Sequence, residues 1–275
     1  MNIGRQALSY GSGVFVGTND WSANRNTLDG MTFAIDNDMI NLDFGVSNND
    51  KGEGTDALQY YWLNTSKSSE LWSLNLFLSH YSSNTNSALP LYDGTQGGLD
   101  FKYSVMNGAL VLNASYIAVR FNDIQEILFG IRPDNNTEYE FDMLDLSATY
   151  KVNSNFNLTA GMISVGEDGF YTNGSGNSGN YETNSWLSHG NIGHLGANQE
   201  NLYISGAYEL KKFQISVTSH SISNTIDQNY ERSATDISLA YSMTDNASLS
   251  YRMVTDNNGT ETDAIYNWLT LTVTP

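Results

Sequence analysis

Cysteine is absent from this sequence, proline occurs only 3 times, and long apolar runs are missing. Without cysteine the chain can form neither a disulfide framework nor a thiolate metal site. A membrane-spanning helix needs about 18 consecutive apolar residues, and no stretch here approaches that length. The sequence is therefore neither a disulfide-linked module nor a helical membrane protein, and the scarcity of proline leaves long segments free to form strands.

Basic residues are also scarce. Lys and Arg together number 12 against 30 Asp and Glu, which gives a formal net charge of −18 over 275 residues. A nucleic-acid-binding surface needs clustered basic side chains to meet the phosphates, so nucleic acid is excluded as a partner. The four histidines do not follow any spacing that binds zinc, and we expect no metal site and no cofactor.

What the sequence does contain is a regular alternation of apolar and polar residues. Segments 40–47, 99–105, 144–151 and 213–218 each place a large apolar side chain at every second position. This period of two is typical of β-strands with one apolar face. Most of the predicted strands have about 9–12 residues, the length that crosses a bilayer at the tilt of a barrel. The predicted strands, about fourteen in number, are 2–10, 29–36, 39–48, 56–64, 70–82, 98–106, 109–120, 139–151, 155–165, 201–210, 212–222, 234–243, 247–255 and 264–274.

The connections between these strands are alternately short and long. The short ones lie at 37–38, 65–69, 107–108, 152–154, around 211 and at 244–246, and the long ones lie at 11–28, 49–55, 83–97, 121–138, 166–200, 223–233 and 256–263. Such parity is typical of a membrane barrel with tight periplasmic turns and long extracellular loops. The 12% aromatic content, dominated by 17 tyrosines, suits the edges of an apolar band. The sequence thus predicts one all-β domain over residues 1–275, an antiparallel transmembrane β-barrel in contact with lipid of the bacterial outer membrane.

On each strand the alternate positions that hold polar residues are expected to face the lumen, and the alternate positions that hold apolar residues are expected to face the lipid. We call each of these two sets of positions a parity. The charged residues with the polar parity are Asp43, Asp100, Lys102, Asp145, Asp236 and Arg252, with Arg5 beside them. One hypothesis is a pore in which mixed charges select solutes. The alternative is that these charges pair with one another inside a plugged barrel.

The segment from Gly4 to Phe33 contains the most specific motif of the chain. Its characteristic positions are Gly4, Arg5, Gln6, Tyr10, Gly11, Val16, Gly17, Trp21, Arg25, Thr27, Leu28, Asp29 and Gly30. This pattern resembles the motif of the alginate export family of outer-membrane barrels. The resemblance implies a barrel of about eighteen strands, in which the motif lies well inside the chain. It also implies a polysaccharide or oligosaccharide solute, with Arg5 and Arg25 facing the pore, where a guanidinium can hold a carboxylate.

With about fourteen strands here against about eighteen, the resemblance implies that roughly four N-terminal strands precede these residues. A signal peptide is expected to precede them as well, because Met1–Arg5 lacks the basic and apolar segments of an export signal. Residue 1 is then either a processed terminus or an internal point of a longer protein. The few cations and the inward acids favour a neutral or mixed-charge solute over the polyanion alginate. The predicted pore lining comprises Arg5, Arg25, Asp29, Asp43, Asp100, Lys102, Asp145, Asp236 and Arg252.

The sequence therefore predicts an outer-membrane porin for passive passage of a hydrophilic solute, and not an enzyme. Loops 11–28 and 166–200 are expected to fold inward and narrow the pore. Two other functions stay open: a barrel hydrolase that uses His189 and His194, and a structural or adhesive barrel with a filled lumen. A periplasmic export partner is not identified by any residue pattern.

Overall fold

The computed structural model of the protein describes residues 1–8, 10, 28–49, 57–84, 93–122, 139–167, 195, 197–257 and 264–273. These residues form fourteen β-strands and one 3-10 turn, Met106–Gly108. The strands are β1 (Asn2–Gln6), β2 (Leu28–Asp36), β3 (Asn41–Asn49), β4 (Ala57–Ser68), β5 (Trp72–Asn84), β6 (Asp93–Val105), β7 (Leu110–Asn122), β8 (Tyr139–Lys151), β9 (Phe156–Val165), β10 (Gln199–Leu210), β11 (Phe213–Asn224), β12 (Glu231–Thr244), β13 (Ala247–Asn257) and β14 (Ala264–Val273). None of the described residues forms a helix of the length and apolarity that a membrane crossing requires.

The strands form an up-and-down antiparallel sheet. Their hydrogen-bonded order is the chain order from β1 to β14. The chain forms two compact units, one of residues 1–101, 115–143 and 166–194, here called unit 1, and one of residues 102–114, 144–165 and 195–275, here called unit 2. The all-β prediction of about fourteen antiparallel strands is confirmed, whereas the single domain over 1–275 stays a prediction.

Short and long connections alternate as predicted. The short turns are closed by side-chain amides and hydroxyls that replace missing backbone partners. Asn37 Oδ1 accepts from the backbone N–H groups of Met39 and Ile40 at 2.8 and 3.1 Å. Asn153 Oδ1 accepts in the same way from the N–H groups of Asn155 and Phe156 at 2.8 and 2.9 Å. We call the strand ends at these turns the short-turn end, and the opposite ends the long-connection end.

Most strand boundaries lie within three residues of the predictions, and three differ by four or more. Strand β1 stops at Gln6 instead of residue 10, and β4 continues to Ser68 instead of ending at 64. The polar residues 65–68 suggested a turn, but they complete the ladder with residues 73–76 of β5. Strand β6 begins at Asp93 instead of 98, through a glycine-rich stretch. In β4 the completed ladder of backbone hydrogen bonds outweighs local composition.

Alternation gives the sheet two faces. The apolar face of unit 2 carries exposed rows that run straight across five strands, one of which joins Tyr208, Ile215, Leu239, Tyr251 and Leu269. In unit 1 the same face carries large residues such as Phe44, Leu63 and Leu78, which are 41–51% exposed. The opposite face holds polar and apolar residues, and we call it the mixed face. Nearly all of the buried apolar side chains lie there.

Candidate functional site

The mixed face of unit 2 is polar near the short turns. Hydroxyls and amides face one another from neighbouring strands there: Thr218 Oγ1 donates to Ser205 Oγ at 2.8 Å, and the hydroxyls of Thr149 and Thr159 lie 2.9 Å apart. A cavity of about 270 Å³ opens in this region. The polar side chains that line it are Asn157, Glu209, Gln214, Ser216 and Ser238. We call this hydroxyl- and amide-rich area the polar tier.

Two arginine–aspartate pairs follow, closer to the long connections. Arg252 Nε donates to both carboxylate oxygens of Asp236 at 2.8 and 2.9 Å. Arg232 forks onto Asp256, with Nε and Nη2 donating at 2.9 and 2.6 Å. All four side chains are at most 12% exposed. Each guanidinium thus faces a carboxylate in a bidentate geometry that cancels the charge of both groups.

A buried histidine and a buried asparagine, His220 of β11 and Asn201 of β10, extend the group formed by the two charged pairs. Asn201 Nδ2 and His220 Nδ1 lie 3.1 Å apart, and both residues are almost fully buried. The ring of Tyr203 lies 6.0 Å from the imidazole and covers the backbone of Gly161, where a Cβ atom would be only 2.4 Å from the tyrosine ring. Asn201 and His220 thus place two buried polar side chains on the mixed face beside the charged pairs.

Beyond the charged pairs the mixed face of unit 2 becomes apolar. Ile163, Val165, Ile222 and Val254 are at most 3% exposed, although they have the same parity as the polar tier. Leu195, from the connection before β10, is 2% exposed. Apolar side chains on this face are buried only where other parts of the chain cover them. The mixed face is thus open and polar near the short turns and covered near the long connections.

Unit 1 shows the same division, with an aromatic cluster in place of the ion pairs. Tyr10, which follows β1, stacks on Phe77 of β5 with ring centroids 5.7 Å apart and accepts a hydrogen bond of 3.1 Å from Trp62 Nε1. Burial raises the pKa of Tyr10 to about 12. Its hydroxyl therefore stays protonated at neutral pH. The indole of Trp62 in turn lies against Gly45, where a Cβ atom would be 2.2 Å from the ring. The chain after β1 is thereby anchored to the mixed face.

The predicted pore-lining residues do not all lie on the mixed face. Those that do are Asp43, Asp100, Lys102, Asp145, Asp236 and Arg252. Ser115 Oγ donates to Asp100 at 2.5 Å, and Lys102 is exposed. Arg5 and Asp29 form a bidentate pair at 3.1 and 2.9 Å. Their register with Ile3 and Met31 gives them the parity of the apolar face.

Arg5 and Asp29 were expected to line the pore, but their register places them on the apolar face. Both residues lie at the long-connection end of their strands, where their side chains are 72% and 52% exposed. A paired charge is tolerated there because it lies beside the first long connection. Arg25, like His189 and His194, lies outside the described residues. No group of three potential metal ligands occurs in the described part of the chain.

Sequence reasoning missed several residues of the site. Arg232 and Asp256 have the same parity as the predicted Asp236 and Arg252, so the alternation pattern contained the signal for them. The inward anchoring of Tyr10 had no such signal, because the strand was expected to continue to that residue. The aromatic content suggested the edges of an apolar band, whereas one of these aromatics, Trp62, is buried on the mixed face.

No protein-family model matches the sequence, and no curated protein does. Solved structures are similar to it over 98% of its length. The crystal structure of OccK11 (OpdR) from Pseudomonas aeruginosa matches with a TM-score of 0.67 at 13% identity, over 75% of that chain. OpdK with vanillate, from the same organism, matches with a TM-score of 0.67 at 12% identity, over 74% of that chain. OccK5 (OpdH), also from Pseudomonas aeruginosa, matches with a TM-score of 0.66 at 15% identity, over 75% of that chain.

At these identities the similarity shows the fold. The predicted class, an antiparallel outer-membrane β-barrel, is confirmed, and the bacterial outer membrane is the location of this fold. The matched structures are outer-membrane porins and not enzymes. They belong to a different group from the alginate export family, and the Gly4–Gly30 motif receives no support from a family model.

Proposed function

We propose that this protein is an outer-membrane channel through which small hydrophilic solutes diffuse. The observation that carries the proposal is the division of the mixed face, which is polar and open near the short turns and covered near the long connections. A porin places its polar parity toward the lumen and its long loops outside the cell. The polar tier then lines a periplasmic vestibule, and the covered zone forms a constriction toward the outside.

We further propose that the channel favours neutral and cationic solutes over anions. Arg232 and Arg252 each face an aspartate, so they contribute little positive potential to the lumen. Asp43, Asp100 and Asp145 are on the same face with the exposed Lys102. By formal charge these three carboxylates outnumber Lys102 among the residues named here, and carboxylates attract cations and repel anions.

The chemistry of the polar tier narrows the solute class. Hydroxyl and amide groups form hydrogen bonds with neutral solutes without selecting a charge. A neutral sugar belongs to this class, whereas alginate, a polyanion, does not. The saccharide implied by the Gly4–Gly30 resemblance thus stays a prediction. The structure of OpdK with vanillate, a small aromatic carboxylate, indicates the size of the solutes that we propose but not their charge.

Planar lipid bilayers test the proposal. Purified protein should insert and produce stepwise conductance, and the reversal potential across a KCl gradient should indicate a cation preference. Vesicles containing the protein should swell faster in a neutral sugar than in a carboxylate of similar size. Folded protein that inserts but conducts no more than an empty bilayer would contradict the proposal and favour a structural barrel with a filled lumen.

A further inference from the structure

An apolar groove lies on the apolar face of unit 2, next to the short turn between β10 and β11. It has a volume of about 440 Å³ and opens outward. Two adjacent rows of the sheet form most of its wall. The apolar side chains that line it include Tyr208, Phe213, Ile215, Tyr241, Tyr251 and Leu269.

The walls of this groove are held in place by contacts between side chains. The rings of Phe213 and Tyr241, which are register partners, lie 4.6 Å apart. Tyr251 donates a hydrogen bond of 2.6 Å from its hydroxyl to Asn267 Oδ1, along the neighbouring strand. Phe213 and Leu269 nevertheless stay 60% and 72% exposed. A preformed apolar surface of this kind is complementary to a hydrocarbon chain.

Two lysines stand at the short-turn end of the groove. Lys211 and Lys212 form the turn itself, in a chain that has only 12 basic residues. Lys211 adopts a φ of 53° and is exposed, while Lys212 Nζ donates to the carbonyl oxygen of Met243 at 3.3 Å. Glu209, two residues before the turn, has the parity of the mixed face, and Asp245 lies in the next short turn, between β12 and β13. The rim of the groove is therefore positively charged.

We propose that the groove binds an acyl chain of an anionic glycerophospholipid in the periplasmic leaflet, with its negatively charged headgroup at Lys211 and Lys212. Short turns face the periplasm in this fold. Lysines near a membrane surface attract anionic headgroups, and tyrosines are enriched at the same depth. No other short turn in the described part of the chain carries two adjacent lysines, because Lys67 and Lys151 stand singly near the ends of β4 and β8. This proposal requires that the short turns face the periplasm. It does not require that the barrel conducts solutes.

Native mass spectrometry of the purified protein tests the site. Dioleoylphosphatidylglycerol is titrated into the protein in detergent, with dioleoylphosphatidylcholine as the headgroup control. We expect one phosphatidylglycerol to be retained per chain. The double variant Lys211→Gln/Lys212→Gln should bind it more weakly by roughly fivefold per lysine. Both residues are in an exposed turn, so folding should be unaffected, which heat-modifiable gel mobility checks.

Two matched variants separate this site from general attraction. Lys67→Gln/Lys151→Gln removes two lysines near other short turns and should leave binding unchanged. Ile215→Trp fills the groove without a change of charge and should weaken binding as well. Equal retention of both lipids, equal affinity of wild type and Lys211→Gln/Lys212→Gln, or an equal loss in Lys67→Gln/Lys151→Gln would overturn the proposal. Lost conductance with retained lipid would contradict only the proposed function.

Discussion

Arg252 of β13 and Asp236 of β12 lie diagonally across the strand pair, and the guanidinium Nε donates to both carboxylate oxygens at 2.8 and 2.9 Å. Their side chains are 12% and 5% exposed. Arg232 and Asp256 repeat the arrangement closer to the long connections. The pairs place four charged side chains in the sheet without a net charge, because each arginine is matched by a carboxylate.

The Arg252–Asp236 pair is expected to matter for stability through the cost of breaking it. Arg252→Ala leaves a buried carboxylate without its cation, which should lower the free energy of unfolding by about 3–5 kcal/mol. Urea titration of the protein in vesicles, followed by tryptophan fluorescence, measures this change. The control is Arg120→Ala at the pair with Glu140, whose side chains are 58% and 60% exposed, and which should change stability by less than about 1 kcal/mol. Equal losses in the two variants would contradict the assigned role.

Ion selectivity should respond to the carboxylates of the mixed face. Asp100→Asn and Asp145→Asn each remove a negative charge and should shift the reversal potential in a KCl gradient toward anions. Lys102→Gln should shift it in the opposite direction. Asp38→Asn, in an exposed short turn, is the matched control and should have a much smaller effect. A shift of the same size in the control would mean that surface charge, and not the lumen, determines selectivity.

Tyr10 is expected to hold the constriction through its contacts with Trp62 and Phe77. Tyr10→Ala removes both contacts, so the chain after β1 loses its anchor and single-channel conductance should rise. Tyr10→Phe keeps the ring on Phe77 and loses only the hydrogen bond, and it should have a smaller effect. Tyr150→Ala, on the apolar face, serves as control. Unchanged conductance in Tyr10→Ala would show that this anchor does not narrow the pathway.

The strand pattern could be predicted from the sequence because it depends on a local rule. Alternation identifies each strand and its apolar face, and the parity of connection lengths identifies the architecture. The prediction failed where a pairing partner decides the structure. Residues 65–68 look like a turn when taken alone, yet their ladder with residues 73–76 makes them a strand. Such pairings become visible only when two segments are brought together.

The site was predictable only in part, for a related reason. Parity alone placed Asp43, Asp100 and Asp236 on the mixed face, but it could not say which charges pair. The diagonal match of Arg252 with Asp236 depends on the register of β12 with β13. Likewise, Ile163 and Ile222 are buried although they have the parity of the open polar tier, and parity alone does not indicate this burial. The sequence shows on which face these residues lie, but it does not show that they are buried.

The assignment of the two faces can be tested by a pair of neighbouring substitutions in β11. Val217 is on the apolar face and 43% exposed, and Ser216 is on the mixed face. A lysine that faces lipid near the middle of the bilayer costs about 2–4 kcal/mol, so Val217→Lys should destabilise the folded protein by that amount. Ser216→Lys should be tolerated because its ammonium reaches the lumen. The measurement is urea unfolding in vesicles, and a reversed order would mean that the faces are exchanged.

Gly45 is a position where the mixed face of unit 1 has little room for additional volume. A Cβ atom there would lie 2.2 Å from Trp62 Cζ2 and 2.5 Å from the carbonyl oxygen of Met31. Gly45→Ala must therefore displace the indole, and overpacking of this kind costs about 1–3 kcal/mol. Because the same indole donates to Tyr10, we expect Gly45→Ala to reproduce part of the conductance increase of Tyr10→Ala.

Gly97→Ala is the matched control for this substitution, because its Cβ atom would meet its nearest neighbour, Leu78, at an ordinary 3.7 Å. It should leave both the free energy of unfolding and the conductance close to those of the wild type. Combining Gly45→Ala with Tyr10→Ala distinguishes a shared cause from two separate ones. If the indole links the two residues, the conductance of the double variant stays near that of Tyr10→Ala. Additive increases would instead show that Gly45 and Tyr10 act on the pathway independently, because sites without a shared partner add.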